Sequence, residues 1–429
     1  MNETKPKGQA GNPRRDFLKA AAVAAGAVVA TQLPALPKAY AEGADEIRIG
    51  QVGCGGRGTG AMMQALKAAP NVKLVALADV FQGPLDRVKQ AAEKVGQEVA
   101  ADHCFLGFDA YQKLLALPEV NYVILASPPG FRALHLKAAV KAGKHIFAEK
   151  PVCVDGPTAR QCLEAYEEAT AKKLSIVCGT QRRHSQAYRE TVQRVRDGAI
   201  GEIVAGRAYW MQGDLASVAR TEKMTDLEWQ IRNWWYFLWL SGDHIVEQHV
   251  HNIDVINWYM DAHPKSAVSL AGRQVRVEPR FGHIYDHFVT EFEYETGAFM
   301  LSMCRQIEGC HNNESENVIG RKGRAQNMAI RDEKGGVIWK FEGKAKDPYT
   351  QEHTDLIESI RKGEPLNELK TCTESCLTAI MGRMSAYTGQ KIAWDQALNS
   401  KQKLMPDKLE WDMKLPVPPV AVPGTTEFM

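Results

Sequence analysis

The sequence predicts an α/β fold in two parts: an N-terminal parallel, doubly wound sheet, and a C-terminal α/β domain with a large, open, mainly antiparallel sheet. Up to about residue 178, short apolar strands alternate with helical segments, which is typical of a parallel sheet. From about residue 202, long strands follow one another without helices between them, which favours antiparallel pairing. The chain has 429 residues, and a single core rarely exceeds about 250–300 residues. We therefore expect two domains.

The elements of the first part are read in order from apolar runs and helical spacing. The predicted strands cover residues 47–53, 72–78, 122–126, 145–148 and 175–178. The predicted helices between and after them cover residues 59–69, 84–95, 133–142 and 158–171. This part is assigned to residues 45–175.

The second part, residues 176–350, has a different pattern. Its predicted strands cover residues 203–211, 267–277, 287–294, 298–306, 316–320 and 336–341. Two helices, 354–362 and 371–388, belong to a segment 351–400 that we expect to pack back on the first domain. Residues 401–429 include a proline-rich stretch, which predicts an extended C-terminal arm.

The first 41 residues do not have the pattern of a folded domain. Arg14-Arg15 and Phe17-Leu18-Lys19 precede a weakly apolar run, and Ala39-Tyr40-Ala41 has the small-x-small form of a cleavage site. This resembles a twin-arginine signal peptide over residues 1–41 and predicts a periplasmic protein. The apolar run is too short for a bilayer span, which needs about 20 apolar residues, so we expect no stable membrane insertion.

Charge and cysteine content narrow the class of protein. Lys and Arg total 53 against 51 Asp and Glu. A nucleic-acid-binding protein normally has a clear excess of basic residues, so we do not expect nucleic acid as a partner. Nine cysteines, an odd number, are scattered without paired spacing, which predicts buried thiols rather than a disulfide framework.

The first predicted strand runs into a glycine motif. Gly53, Gly55 and Gly58 have G-x-G-x-x-G spacing, with Gly56 and Arg57 inside the loop. Such glycines permit a tight turn, close approach of a pyrophosphate, and packing of the following helix, whose N-terminus supplies donors. Asp79 closes the second strand where a carboxylate accepts hydrogen bonds from the adenosine ribose. The motif predicts a Rossmann domain that binds NAD. NADP stays possible because Arg57 could pair with a 2′-phosphate.

Further motifs resemble the Gfo/Idh/MocA family of oxidoreductases. They are Ala126-Ser127-Pro128-Pro129, His135, the segment 142–151 with its Glu149-Lys150-Pro151, the segment 198–203, His251-Asn252-Ile253-Asp254 with Trp258, and the segment 386–394. The resemblance covers nearly all of the chain after residue 45. It implies that Ser127, Pro128, His135, Glu149 and Lys150 contribute to the NAD site, and that the open sheet forms a homodimer or homotetramer interface.

The resemblance also implies a proton-handling pair beside the nicotinamide, Lys150 and His251. Oxidation of a secondary alcohol needs a base for the hydroxyl proton, and a neighbouring cation helps. This chain departs from the family motif, with Glu247 where aspartate is usual and His249 where glycine is usual. Glu247 is expected to orient His251 or the substrate. A zinc or manganese site on Glu247, His249 and His251 is an alternative, with a hydrogen-bonding set as the simpler interpretation.

One basic segment and one aromatic segment each have two interpretations, either in the substrate site or outside it. Arg182 and Arg183 fall where the resemblance implies substrate-facing groups, and His249 is a further candidate, although a solvated basic turn explains the arginines equally well. An aromatic stretch precedes the histidine motif and is expected to be mostly core, with one ring lining a pocket. It comprises Trp229, Trp234, Trp235, Tyr236 and Trp239.

The predicted function is hydride transfer between tightly bound NAD and a secondary hydroxyl of a sugar, glycoside or cyclitol. Two alternatives remain open. A redox-neutral, NAD-dependent glycosidase or lyase would pass through a transient keto-sugar, and a non-catalytic protein would bind sugar and keep NAD for structure. Product analysis separates the three.

Overall fold

The first sheet arises from strands that are apolar on both faces, as a parallel sheet covered by helices requires. The computed structural model describes residues 46–344 and 346–428, so the predicted signal peptide lies outside the described residues. Six parallel strands have the order β3-β2-β1-β4-β5-β6. They are β1 Ile47–Val52, β2 Val72–Asp79, β3 Cys104–Leu106, β4 Tyr122–Leu125, β5 His145–Ala148 and β6 Ile176–Cys178.

Helices connect these strands and cover both faces of the sheet. They are α1 Gly56–Ala68, α2 Gln82–Glu93, α3 Ala110–Leu115, α4 Arg132–Lys141 and α5 Gly156–Ala171. The predicted order of strand and helix is confirmed. β3 and α3 were missed because each is very short, and strand periodicity needs about four residues to be visible.

A second sheet of nine strands follows, in the order β14-β13-β12-β11-β7-β10-β9-β8-β15. Every pairing in it is antiparallel except that of β7 with β10, so the predicted mainly antiparallel sheet is confirmed. The strands are β7 Ile203–Gln212, β8 Ser266–Gly272, β9 His287–Glu293, β10 Phe299–Gln306, β11 Asn313–Gly320, β12 Gly323–Gln326, β13 Ala329–Asp332, β14 Val337–Lys340 and β15 Ile392–Ala393.

Three expectations for this part were wrong. The strand predicted over residues 267–277 ends at Gly272, because the next backbone amides turn to donate to the carboxylate of Asp286. β12 and β13 were missed. Helices were also missed between residues 186 and 260, where the strand over residues 203–211 was the one predicted element and the next strand was expected to follow without a helix between them. They are α6 Gln186–Arg196, α7 Asp226–Arg232, α8 Leu238–Ser241, α9 His244–Glu247 and α10 Val250–Met260.

The C-terminal helices return to the first part, as expected. The helices α11 Pro348–Lys362 and α12 Leu369–Thr388 are followed by the short α13 Trp394–Asn399. α11 packs on α1, and Leu356 and Ile357 join the core cluster that holds Ile47 and Met62. α12 lies between α5 and the second sheet, against β8. One core cluster therefore continues from the first sheet into the second. The domain limits drawn from the sequence stay a prediction.

Beyond α13 the described chain to residue 428 is irregular, in agreement with the predicted arm. The described cysteines are all free thiols, and seven of the nine are buried, as expected of small hydrophobic side chains. Within the part of the chain that the structure describes, no helix is both long and apolar enough to cross a bilayer.

Candidate functional site

The glycine turn between β1 and α1 has the shape that a dinucleotide requires. Gly53 has a φ of +94°, and a Cβ there would clash with the backbone at Ser127. A Cβ on Gly58 would clash with the carbonyl of Gly53. Gly55 and Gly56 face open space, and α1 begins at Gly56 without a side-chain cap. The helix N-terminus therefore presents free N–H groups where a pyrophosphate would lie, so the residues fit the cofactor.

Asp79 ties this turn to the end of β2. Its Oδ2 accepts the Cys54 N–H at 2.6 Å and its Oδ1 accepts the Phe81 N–H at 2.8 Å. Burial raises the pKa of Asp79, while these backbone donors act against that rise. The carboxylate lines the cleft and keeps lone pairs for a ribose, as the sequence predicts.

Arg57 lines the cleft and is held there by an ion pair. Its Nε donates to Oε1 of Glu149 at 2.5 Å, and its guanidinium lies over the ring of Tyr349. Burial lowers the pKa of Arg57, but Glu149 raises it overall. The cation whose charge acts on Asp79 is Arg87. Arg87 lines the cleft with Asp79, while Arg57 joins the glycine loop to the Glu149-Lys150-Pro151 segment.

The loop after β4 supplies the facing wall of the cleft. Ser127, Pro128 and His135 line it, and the Ser127 hydroxyl lies 3.0 Å from Nδ1 of His135. Burial and the adjacent Arg132 lower the pKa of His135 to about 3, so the imidazole is neutral. Their contribution to NAD binding stays a prediction.

The cleft has a volume of about 750 Å³, within the range of ligand sites. Besides the residues already named, its walls include Trp234, Trp235, Arg232 and Leu409. Leu409 belongs to the C-terminal arm, and no sequence pattern predicts that it lines a cleft of the first domain. Trp234 and Trp235 stack with centroids 4.0 Å apart, whereas Trp229, Tyr236 and Trp239 are buried in the core.

Lys150 follows Glu149, the partner of Arg57, and its ammonium is close enough to Glu247 to pair with it and to act on His251 through its charge. The ammonium of Lys150 donates to the Glu247 carbonyl at 2.5 Å and to its Oε1 at 2.9 Å. The side chains of Lys150 and Glu247 are 12% and 5% exposed, so this ion pair is largely out of water. Burial raises the pKa of Glu247, and Lys150 opposes that effect.

His251 lies in the first turn of α10, against Trp210, with ring centroids 5.7 Å apart. Burial, and then the charges of Lys150, Arg182 and Arg57, lower its pKa well below the usual value. The imidazole is therefore neutral. Nδ1 of His251 and Oε2 of Glu247 are both buried without a hydrogen-bond partner. Buried polar atoms of this kind need a partner, and a polar substrate can supply it.

The candidate metal set is not assembled. His249 is fully buried, its Nε2 lies 2.8 Å from the Ser302 hydroxyl, and burial lowers its pKa to about 3. Glu247 ends α9 while His251 belongs to α10, so the three side chains share neither a strand face nor a helix face. Among residues 46–344 and 346–428, no three His, Cys, Asp or Glu side chains are arranged to hold a metal ion.

The two candidate substrate arginines differ in their surroundings. Arg183 makes a two-pronged ion pair with Asp254, at 2.8 and 2.9 Å, and Asp254 also accepts from the hydroxyl of Ser375 on α12. This is a structural role. Arg182 forms ion pairs with Glu314 and Glu316. Its guanidinium also lies over the ring of Trp210, the same ring that stacks with His251.

Sequence analysis missed His184, the last residue of the same short segment. Its buried ring bridges Asp355 on α11, at 2.6 Å, and Glu368 at the start of α12, at 3.2 Å. Burial lowers the pKa of His184, but the two carboxylates outweigh it and raise the value to about 9. Nothing in the sequence connects residues so far apart.

Comparison with known proteins agrees with the geometry. Residues 47–180 match the oxidoreductase family with an NAD-binding Rossmann fold, and residues 188–326 match the GFO/IDH/MocA C-terminal domain. The chain is 27% identical to inositol 2-dehydrogenase 3 of Saccharopolyspora erythraea over 59% of this chain and 64% of that enzyme, just under two thirds of its length. It is 24% identical to myo-inositol 2-dehydrogenase of Thermotoga maritima, over 74% of this chain and 90% of that enzyme.

A third relative has a different activity in its name. The glycosyl hydrolase family 109 protein of Shewanella pealeana is 22% identical, over 69% of this chain and 67% of that protein. Among solved structures, aldose-aldose oxidoreductase of Caulobacter crescentus superposes with a TM-score of 0.64 at 17% identity. The alignment covers 81% of this chain and 99% of that one, which shows a common fold. With both halves matched and an NAD-shaped cleft in the first, this chain belongs to the Gfo/Idh/MocA family of NAD-binding oxidoreductases.

Proposed function

We propose that this oxidoreductase transfers hydride between tightly bound NAD and a secondary hydroxyl of a sugar, glycoside or cyclitol. The observation that carries the proposal is a pair of buried atoms without hydrogen-bond partners, namely Oε2 of Glu247, whose Oε1 accepts from Lys150, and Nδ1 of His251, on which the charge of Lys150 acts. A polyhydroxylated substrate has adjacent hydroxyls that can bond both. The inositol dehydrogenase names of two relatives support the same substrate class.

The residues suggest a division of roles in alcohol oxidation. Bound NAD supplies the hydride acceptor. An ammonium has three N–H donors, and Lys150 uses two on Glu247, which leaves one for the reacting hydroxyl. That donor stabilises the alkoxide as it forms, and neutral His251 takes the hydroxyl proton. Glu247 fixes Lys150 and can accept from a second substrate hydroxyl.

Product analysis tests this proposal. Purified protein is incubated with a panel of cyclitols, aldoses and glycosides, and the products are identified by mass spectrometry. A ketone or lactone two mass units lighter than its substrate, formed together with NADH, is expected. Failure of every substrate to give an oxidised product would contradict the proposal.

A redox-neutral glycosidase or lyase is the second candidate. It is favoured by the glycosyl hydrolase name of one relative and by Glu247 and His249, which depart from the family motif. The same Lys150 and His251 would oxidise the sugar transiently, permit elimination beside the new ketone, and return the hydride. Here the product is a cleaved glycoside with the cofactor unchanged.

We also propose that the protein is exported to the periplasm with NAD already bound. The motif of residues 1–41 supports this, since the twin-arginine route carries proteins that have folded around their cofactors.

Finally, we propose a homodimer or homotetramer formed through the open face of the second sheet. α12 covers one face at β8. On β8, β9 and β10 the strands expose apolar side chains that include Leu270 at 77%, Val268 at 49% and Phe299 at 42%. Glu291 and Glu293 of β9 lie opposite Val268 and Phe299, so the face is mixed, and its exposed apolar side chains support a protein interface.

A further inference from the structure

The C-terminal arm crosses the outer rim of the NAD cleft. Residues 404–415 of this arm form the rim segment. Leu409 from this segment lines the cleft together with Asp79 and Phe81. Asp79 is the residue placed to bond the adenosine ribose, so the rim segment lies at the adenosine end of the cofactor site.

Aromatic contacts hold the middle of the rim segment against the first domain. The Trp411 ring lies 5.5 Å from that of Phe81 and 4.7 Å from that of Phe108. Phe81 follows β2, Phe108 follows β3, and both line the cleft. Phe81 also lies under the guanidinium of Arg232, at 4.0 Å. The two phenylalanines thus form a cleft wall on which Trp411 rests.

Each end of the rim segment is fixed by hydrogen bonds. The Leu404 N–H donates to Oδ2 of Asp155 at 2.8 Å, and Asp155 is a buried residue that caps α5. At the other end, the Leu415 N–H donates to Oδ2 of Asp226 at 3.0 Å, and its carbonyl accepts from Gln230 at 2.7 Å. Asp226 and Gln230 both belong to α7.

Between these ends, the rim segment belongs to no helix or strand. Its middle is therefore held mainly by side-chain packing, which involves Leu409, Trp411 and Met413. A backbone without a hydrogen-bonded ladder, fixed at two points, can lift locally without unfolding the domains. The same geometry keeps the segment across the cleft for most of the time.

We infer that the rim segment forms the outer wall of the adenosine end of the NAD site, and that NAD leaves only when Leu409 and Trp411 separate from Phe81 and Phe108. The rim segment thereby sets the rate of cofactor release. This inference deepens the proposal of tightly held NAD and rests on it, but it is independent of the substrate.

The test compares release rates in point variants of the full-length protein. Protein loaded with NADH is mixed with excess NAD, and the loss of bound NADH fluorescence is followed. Trp411→Ala and Leu409→Ser are expected to speed release by about tenfold or more, because lost wall contacts act mainly on the dissociation rate. Trp411→Phe keeps a ring on Phe108 and should restore slow release. Val417→Ala, on the arm but beyond the rim segment, is the control and should match wild type.

The outcomes separate this inference from the proposal it rests on. Rapid release from wild type, with further acceleration in Trp411→Ala, would contradict tight retention while supporting the rim segment as a wall. Wild-type release rates in both Trp411→Ala and Leu409→Ser would overturn the inference. Amide exchange gives a second measurement: NADH should slow exchange in residues 405–413, and an unchanged pattern there would also overturn it.

Discussion

Lys150 and Glu247 illustrate how a buried charge pair can serve chemistry rather than stability. Removing two charges from water is costly, and their attraction seldom returns more than that cost. Here the ammonium also bonds the Glu247 carbonyl, which fixes its position relative to His251. The pair therefore holds a cation in a nearly dry site, where, under the proposed mechanism, it would act strongly on a forming alkoxide.

Replacing Lys150 by Met or His251 by Asn should reduce turnover by about 10²–10⁴-fold, the usual contribution of a positioned proton-transfer group. Bound NAD should remain, because the cofactor is held by the glycine turn and Asp79. Turnover with a substrate found by the product screen, and NAD released on denaturation, are measured together. Lys141→Met, on the exposed surface of α4, is the control. Near-normal turnover in both variants would remove these residues from the mechanism.

Asp79→Ser should relax the preference for NAD over NADP. The substitution removes the repulsion toward a 2′-phosphate and leaves Arg87 to pair with it, whereas Arg57 stays bound to Glu149. Because Asp79 also accepts two backbone N–H groups, some loss of NAD affinity is expected as well. Dissociation constants for both nucleotides provide the measurement. Asp86→Ser, an exposed aspartate of α2 bonded to Gln82, should leave the ratio unchanged. Equal binding of NAD and NADP by wild type would show that Asp79 does not discriminate.

At the scale of elements, His184 joins the two returning helices to the first domain. It follows β6, and its carboxylate partners Asp355 and Glu368 belong to α11 and to the start of α12. Arg189 also donates to Asp355, at 2.6 Å, so this carboxylate has two cationic partners. The charge on His184 therefore contributes to the position of α11, the helix that covers α1.

The stability contributed by His184 should depend on pH. Its pKa is raised from 6.5 to about 9, so the contribution is fully present below pH 6.5 and is lost as pH rises through 9. The full shift corresponds to at most about 3 kcal/mol. The pKa of Asp355 is lowered to about 2, so its contribution is lost only in strong acid. Urea midpoints of wild type and His184→Gln should differ most near pH 6 and converge above pH 9. Exposed His311→Gln serves as the control. An equal difference at both pH values would argue against a charged His184.

An element is predictable from sequence when the residues that determine it are neighbours in the chain. The glycine turn between β1 and α1 was predicted because Gly53, Gly55 and Gly58 lie close together in sequence, and a Cβ on Gly53 or Gly58 would clash with the backbone. The helices near His251 were not predicted from the sequence. They are short or buried on all sides, so they lack the one-sided apolar stripe that marks an amphipathic helix. The ion pairs of His184 with Asp355 and of Arg57 with Glu149 were not predicted for a related reason, since the partners are distant in sequence.

At the scale of the whole molecule, the exposed face of the second sheet leads to a prediction about assembly. Leu270 is 77% exposed in the single chain, and a lysine there should weaken an interface that buries it. Wild type should have the mass of a dimer or tetramer in light scattering, and Leu270→Lys should shift toward monomer. The control is Val95→Lys, which adds the same charge to the first domain at a side chain that is 45% exposed. A monomeric wild type would contradict the proposed oligomer.

Retention of NAD is the second prediction at this scale. The mature protein, purified without added nucleotide, should release close to one NAD per chain on denaturation. Isotopically labelled NAD in the medium should not enter the protein during turnover, because an exported enzyme must regenerate its own cofactor. Empty protein that works only with added NAD, or rapid uptake of the label, would point to a cytoplasmic dehydrogenase.

The position of α11 on the first sheet also affects the order in which the protein can mature. Domains generally fold from the N-terminus as the ribosome extends the chain. Ile47 and Met62, however, share a core with Leu356 and Ile357, so this core cluster is not complete until synthesis has passed α11. The rim segment emerges later still. We therefore expect NAD to enter a cleft that is still open while the last residues are being translated, and the chain to become ready for transport only after its synthesis ends.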